Sequence, residues 1–356
     1  MSKSIRKLKG RGTENSVDGR YLEYKRSIFD DEWGKEADDK RIATEVTKEN
    51  ARTIISRNSS PDIPFDLSIN PYRGCEHGCN YCYARPTHAY LDLSPGIDFE
   101  TKLFAKTNAA ELLIKELAKK TYSCMPIALG TNTDPYQPIE REFKITRSII
   151  EVFKKYKQPC TIVTKSHLIL RDLELLAEMA KSNLLQVFIS VTTLNPALAR
   201  TLEPRASAPF RRVDTIQTLS DAGIPVGLMF APVIPFVNDM EMEDIISLSA
   251  AAGAKTAGYV MLRLPHEVKD LFREWLDLHL PLKKEHVMSI ITDMRAGKDY
   301  DSSFHTRMRG DSVYAKMIRK RFEHCCKKEG LDLERYKLSC DLFQAPQLSG
   351  TQQNLF

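Results

Sequence analysis

Cys75, Cys79 and Cys82 lie in the string Arg-Gly-Cys-Glu-His-Gly-Cys-Asn-Tyr-Cys-Tyr, a Cys-x3-Cys-x2-Cys run. Three thiolates this close in sequence form a metal-binding set. An ordinary four-iron cluster takes four cysteine ligands, so a set of three would leave one iron open to a substrate or cosubstrate. The other chemistry open to these residues is a zinc site with His77 or His88 as the fourth ligand, because Cys3His zinc sites are common.

The surrounding chain must bring such a loop to the end of a strand. From Phe65 onward, short apolar or β-branched runs alternate with longer amphipathic segments, the pattern of repeated βα units around a parallel sheet. The periodicity predicts strands over residues 65–72, 126–131, 160–164, 185–191, 226–233 and 257–264. The helices are expected over 108–120, 145–156, 170–181, 213–222, 242–252 and 267–278. Six units fit an α/β fold of the partial (β/α)6 TIM-like barrel type, with an N-terminal arm and a C-terminal helical extension. In such a barrel the chemistry lies just beyond the strand C-termini. The cysteine run falls there, as do residues 130–134, 164–166, 192–193 and 232–235.

Four regions follow from this reading. Residues 1–60 form a polar arm without a sustained apolar face, 61–282 the barrel core, 283–343 a basic helical extension, and 344–356 a flexible tail. The chain has 356 residues and eight cysteines, with no secretory signal at its start. The cysteine run is therefore expected to bind metal in a reducing compartment rather than to form disulfides. No apolar run is long enough to span a bilayer, so a cytoplasmic protein is expected.

The quoted cysteine string, with an aromatic residue, Tyr81, before its last cysteine, resembles the signature of the radical S-adenosylmethionine (SAM) enzymes. The resemblance narrows over three segments: Asn-Pro-Tyr-Arg-Gly-Cys-Glu-His-Gly-Cys-Asn-Tyr-Cys-Tyr-Ala-Arg-Pro, Gly-Thr-Asn-Thr-Asp-Pro-Tyr-Gln-Pro-Ile-Glu and Val-Thr-Lys-Ser. Together they are similar to the radical SAM proteins related to spore photoproduct lyase, the so-called DNA repair photolyases. The family likeness implies that Cys75, Cys79 and Cys82 ligate a [4Fe-4S] cluster whose fourth iron binds SAM, and that the reduced cluster splits SAM to a 5′-deoxyadenosyl radical. It further implies that Tyr83 lies in a hydrogen-transfer path, that Lys165 and Ser190 lie near SAM, and that Asn132 belongs to a segment bordering it. One position departs from the pattern. The lyase segment matching Gly130-Thr131-Asn132 begins with a cysteine that donates hydrogen to the substrate radical, and here the residue is Gly130. Cys124 lies before the second strand, at the wrong end to replace it.

The remaining cysteines carry weaker signals. Cys160 opens a buried strand, where a thiol is core filling, and Cys325, Cys326 and Cys340 have no common cluster spacing. The formal net charge is +5, with the cations concentrated at the ends. Lys3, Arg6, Lys7, Lys9, Arg11 and Arg20 precede the barrel, while Arg307, Arg309, Lys316, Arg319, Lys320, Arg321, Lys327 and Lys328 follow it. Both groups could touch phosphates or simply solvate the fold. A nucleic acid is the expected substrate, with a reductant such as flavodoxin or ferredoxin. The last five residues, Gln352, Gln353, Asn354, Leu355 and Phe356, resemble the pentapeptide that docks on the bacterial sliding clamp. Two other readings fit these residues: a radical SAM enzyme acting on a small molecule or protein, and a non-catalytic iron-sulfur adaptor docking through its tail.

Overall fold

The apolar runs assemble into one sheet with a second, smaller sheet beside the cysteine loop. The computed structural model describes residues 10–13, 16–21, 42–334 and 336–347. Among these, the strands are β1 (Glu45–Glu49), β2 (Ile55–Arg57), β3 (Leu67–Ile69), β4 (Tyr72–Arg73), β5 (Lys102–Lys106), β6 (Ile127–Leu129), β7 (Cys160–Thr164), β8 (Leu185–Ser190), β9 (Val226–Val233) and β10 (Thr256–Met261). The larger sheet has the order β10-β9-β8-β7-β6-β3-β2. All its pairings are parallel except β2 with β3. Each new strand of the barrel core is added beside the previous one, as repeated right-handed βα crossovers require, and the ends do not close. The architecture is a partial barrel.

Burial explains why these strands form. Every residue of β3, β6 and β8 is buried, the continuous apolar reading of strands covered on both faces. The helices Ala109–Leu117, Ile145–Tyr156 and Leu173–Lys181 pack side by side over this sheet, followed by Pro209–Asp221 and Met242–Ala251 against β8 and β9. Fully buried side chains such as Ile149, Leu176 and Leu219 each contribute about 1.5–3 kcal/mol relative to exposure.

Two predicted strands end differently. The run over 65–72 divides at Asn70 and Pro71: Pro71 has no N–H for a ladder, the chain turns, and Tyr72–Arg73 pairs antiparallel with β5 instead. The run over 257–264 stops at Met261, whose N–H turns to Met308 O at 2.9 Å. Residues 45–49 and 55–57, read from sequence as polar arm, are strands in both sheets. In β1 no residue is fully buried. Its partners are backbone groups of β5, which leave no mark on hydrophobic periodicity.

The C-terminal extension covers the open edge at β10, a strand side that would otherwise offer unpaired amides. Ala257 N–H donates to Asp332 O at 3.0 Å and Asp332 N–H to Lys255 O at 2.9 Å. The helix Val313–Lys328, capped by the Ser312 hydroxyl, packs against Met242–Ala251. No helix among the described residues is long and apolar enough to cross a membrane.

Candidate functional site

The cysteine loop leaves β4 and is fixed by backbone and buried side chains from three directions. Cys75 N–H donates to Phe99 O at 2.9 Å, and Asn80 N–H to Leu202 O at 3.2 Å. Gln137 holds the loop twice: its Oε1 accepts from Glu76 N–H at 2.9 Å and its Nε2 donates to Gly74 O at 3.1 Å. Arg85 is fully buried, donates from Nε to Cys79 O at 2.8 Å and pairs with Glu100 Oε1 at 2.6 Å. Gln137 and Asp134 both belong to the second conspicuous sequence segment, residues 130–140. That segment thus acts as a clamp on the first. Asp134 Oδ2 lies 3.3 Å from His77 Nδ1, its Oδ1 accepts from the Thr164 hydroxyl at 2.6 Å, and Oδ2 accepts from Lys165 N–H at 2.8 Å. Burial pushes this carboxyl up, but His77 and the two hydrogen bonds outweigh it and hold the pKa at about 2.

The three thiols share this buried loop. Cys75 and Cys79 are buried and Cys82 is partly buried. Burial pushes all three thiols up, Cys79 to about 12, and Cys79 and Cys82 both raise Cys75. Lys165 opposes the rise at Cys79 and Cys82, Arg212 at Cys79 and Arg85 at Cys82. Buried and mutually repelling, these thiols resist ionisation on their own, and the cations around them favour the thiolates that a metal group would bind. Beside them, Asn80 is fully buried with both side-chain polar atoms unpartnered, a costly arrangement unless a further group occupies the loop.

Among the described residues, no three His, Cys, Asp or Glu side chains converge on a single metal ion. A cluster does not require them to, since each thiolate takes its own iron. Of the two histidines open to the zinc alternative, His88 has Nε2 engaged with Lys102 O at 3.0 Å and Nδ1 unpartnered, and the His77 ring lines a separate polar cleft that none of the three cysteines lines. The donor set fits a cluster with three protein ligands.

The other expected residues divide. Lys165 stands at the end of β7 with Nζ 5.9 Å from the Tyr81 ring centroid, so the structure brings it to the cysteines. Ser190 ends β8, buried, with its hydroxyl 3.3 Å from Ala231 O and its carbonyl accepting from Arg212 at 3.2 Å. Asn132 is exposed, and its N–H donates to Asn70 Oδ1 at 3.0 Å. Tyr83 is 43% exposed. Its hydroxyl donates to Thr131 O, and the Arg263 guanidinium lies 5.0 Å over its ring.

Sequence reasoning missed the buried network behind the cysteines. Glu203, directly after the helix Pro196–Leu202, accepts from Tyr81, from Thr192 at 2.7 Å and from Arg212. Burial raises this carboxyl, yet Arg212 and Lys165 prevail and hold it at about 2. Neither Glu203 nor Arg212 belongs to a recognisable spacing, so only the fold reveals the pair. Arg263 was also missed. It lies past β10 between Tyr83 and Tyr300, 3.2 Å from the Tyr300 hydroxyl.

Several outlying expectations change. Arg11 is buried and bound to Glu100 O at 2.9 Å, and Arg20 pairs with Glu267 at 3.2 Å, so neither is a free phosphate contact. In the extension, Arg307, Lys316, Arg319 and Arg321 pair with Asp62, Asp311, Glu323 and Glu243. Part of the basic face is thus paired, Lys316 and Arg319 with near neighbours in sequence and Arg307 and Arg321 with carboxylates that sequence order does not reveal. Cys160 is core, as expected. Cys340 lies beside Cys124, not beside Cys325 and Cys326, which are buried in their helix. Lys3, Arg6, Lys7, Lys9 and the pentapeptide Gln352 to Phe356 lie outside the described residues.

Residues 69–249 match the sequence profile described as the Radical SAM superfamily. An uncharacterized protein of Mycobacterium tuberculosis is 38% identical over 216 residues, covering 60% of this chain and 64% of that protein. The match therefore spans less than two thirds of that relative. An uncharacterized protein of Methanocaldococcus jannaschii is 29% identical over 198 residues, covering 55% of this chain and 71% of its own. Among solved structures, spore photoproduct lyase complexed with dinucleoside spore photoproduct superimposes with a TM-score of 0.59 at 14% identity, over 82% of both chains. That likeness is one of fold. With the profile spanning the cysteine loop and the strands that carry it, the chain belongs to the radical SAM superfamily, enzymes whose cofactors are a [4Fe-4S] cluster and S-adenosylmethionine.

Proposed function

We infer that Cys75, Cys79 and Cys82 hold the [4Fe-4S] cluster and that the enzyme acts on a nucleic acid. The observation that supports the ligand assignment is the placing of two buried and one partly buried thiol on one clamped loop beside Lys165 and the unpartnered amide of Asn80. The bound cofactors supply a carbon-centred radical that abstracts hydrogen from substrate. The chain's own residues bind and orient. Lys165 offers a cation for the SAM carboxylate, Ser190 and Asn132 border the same mouth, and Tyr83 stands toward the solvent side, where substrate enters.

Nucleic acid is supported by the sequence likeness to the lyase-related proteins and by the fold shared with a lyase whose structure holds a dinucleoside lesion. Arg263, framed by the aromatic rings of Tyr83 and Tyr300 at the strand ends, offers the combination of cation and stacking surface that suits bases and phosphates. The reaction differs from the lyase's, because the donor position is Gly130. Residues 352–356 offer a second route to DNA through a sliding clamp, and a flavodoxin or ferredoxin supplies the electron.

The test is anaerobic reconstitution followed by turnover with deuterium-labelled DNA and RNA. About four irons per chain are expected, with 5′-deoxyadenosine formed under reducing conditions and label carried into it. Binding to the productive nucleic acid should weaken steeply with salt. Turnover that no DNA or RNA stimulates or labels would sink the substrate assignment, and a reconstituted protein that forms no 5′-deoxyadenosine would sink the cofactor assignment.

A further inference from the structure

A polar cleft of 160 Å³ opens beside the cysteine loop, lined by His77, Tyr136, Arg141, Ser166, Arg205 and Ser207 together with three apolar residues. Neither the three cysteines nor Lys165 or Ser190 lines it. The cleft is too small for a whole nucleotide, whose pockets run to several hundred Å³, and no carboxylate belongs to its wall. Its donors point to an oxyanion. Arg141 is exposed, and no ion pair or side-chain hydrogen bond engages it among the described residues. Arg205 spends one nitrogen on Glu76 Oε1 at 3.1 Å, and its remaining N–H groups stay available.

The two serines are set up as donors. Ser166 Oγ accepts from Leu168 N–H at 3.2 Å, and Ser207 Oγ accepts from His167 N–H at 2.8 Å. A hydroxyl whose lone pair is engaged by a backbone amide keeps its own proton for an incoming oxygen. The unpaired Arg141 guanidinium, the remaining N–H groups of Arg205 and two such hydroxyls converge on one small cleft, a donor set that the three terminal oxygens of a phosphate monoester can accept from together.

We propose that this cleft binds a phosphate monoester, carried by a strand end or by a small phosphorylated molecule. The site goes beyond the radical chemistry and does not depend on it. Its wall includes His77, inside the cysteine run, and Ser166, next to Lys165, so an occupied cleft would brace the loop from outside.

The test is calorimetric titration of the full-length reconstituted protein with inorganic phosphate. One saturable site is expected, weakened about tenfold in Arg141→Gln by loss of a charge-assisted contact and abolished in Arg141→Glu. Arg141 is exposed, so both variants should keep the wild-type fold, checked by circular dichroism. A 5′-phosphorylated oligonucleotide that displaces phosphate, where its unphosphorylated twin does not, assigns the site to strand ends. Displacement by glycerol 3-phosphate but by neither oligonucleotide assigns it to a small ligand. Absence of saturable phosphate binding, or equal affinity in wild type and Arg141→Gln, overturns the proposal. These readouts use no turnover, so failure of the radical assignment would leave them unchanged.

Discussion

Gly12 lies against the backbone carbonyl of Gly78 so closely that a Cβ on Gly12 would stand 1.6 Å from that oxygen. The contact fastens residues 10–13 onto the cysteine loop. Gly12 N–H donates to Glu100 Oε2 at 2.9 Å and Thr13 N–H to Glu100 Oε1 at 3.1 Å, on the same carboxylate that pairs with Arg85. The segment thus seals one side of the loop against solvent. In Gly12→Ala the strap must lift, and cluster absorbance should bleach several-fold faster in air than in wild type, while anaerobic SAM cleavage is retained. An unchanged bleaching rate would refute the sealing role.

Gly130 has φ +85°, and a Cβ there would stand 2.1 Å from Val163 O. Left-handed strain and a backbone clash act together, so Gly130→Cys should cost about 2 kcal/mol or more. The substitution would therefore not convert this site into the lyase's. Thermal unfolding should show a clear fall in midpoint, and assays on thymine-dimer substrates should show no gained repair. A stable, repair-competent Gly130→Cys enzyme would show that the turn yields more readily than its geometry indicates.

The parallel core was legible because each of its strands carries its own apolar run: 226–233 is found with the predicted bounds as Val226–Val233. The cysteine loop was legible because local spacing alone keeps Cys75, Cys79 and Cys82 together on one short segment. Illegible were contacts between residues far apart in sequence. Glu100 meets Gly12 across 88 positions, and Arg307 meets Asp62 across 245. No periodicity encodes such pairs, so charges that looked free along the chain proved to be paired in the fold. The start of the helix Pro209–Asp221 was missed for a different reason: Pro209 occupies its first turn, where proline is tolerated, but the apolar face begins only later.

His88 should make the fold acid-labile. Its ring is fully buried, packed edge-on against Phe99 at 5.0 Å, with Nδ1 unpartnered. Burial depresses its pKa to about 4, and the hydrogen bond with Lys102 O only partly opposes this. Above a pH of about 6.5 the ring is neutral whether folded or unfolded. Between about 6.5 and about 4 only the unfolded chain takes up the proton, so stability falls as pH drops through this window, by about 3 kcal/mol in full. His88→Phe keeps the ring contacts and removes the titration. Urea midpoints of the two proteins at several pH values should diverge below pH 6.5, wild type losing more. The acid sensitivity of the cluster is common to both and cancels in the difference, and parallel curves would refute the assignment.

Glu203 and Arg212 form a fully buried ion pair behind Tyr81 and Cys79. Removing one partner leaves an uncompensated buried charge, which costs about 3–5 kcal/mol, whereas removing both together costs much less. Arg212→Met should therefore destabilise strongly. It strands the Glu203 carboxylate beside thiols that must themselves ionise, and it frees the Ser190 carbonyl that Arg212 now binds. The double variant Glu203→Gln with Arg212→Met keeps an amide to meet Tyr81 and Thr192 without the charge. A double-mutant cycle on urea unfolding should give a coupling energy of at least about 2 kcal/mol, and iron content after reconstitution should follow the same order, with the double variant above Arg212→Met. Additive single effects would mean that Glu203 and Arg212 act separately, and the pair would then be packing around the cysteine loop rather than its electrostatic support.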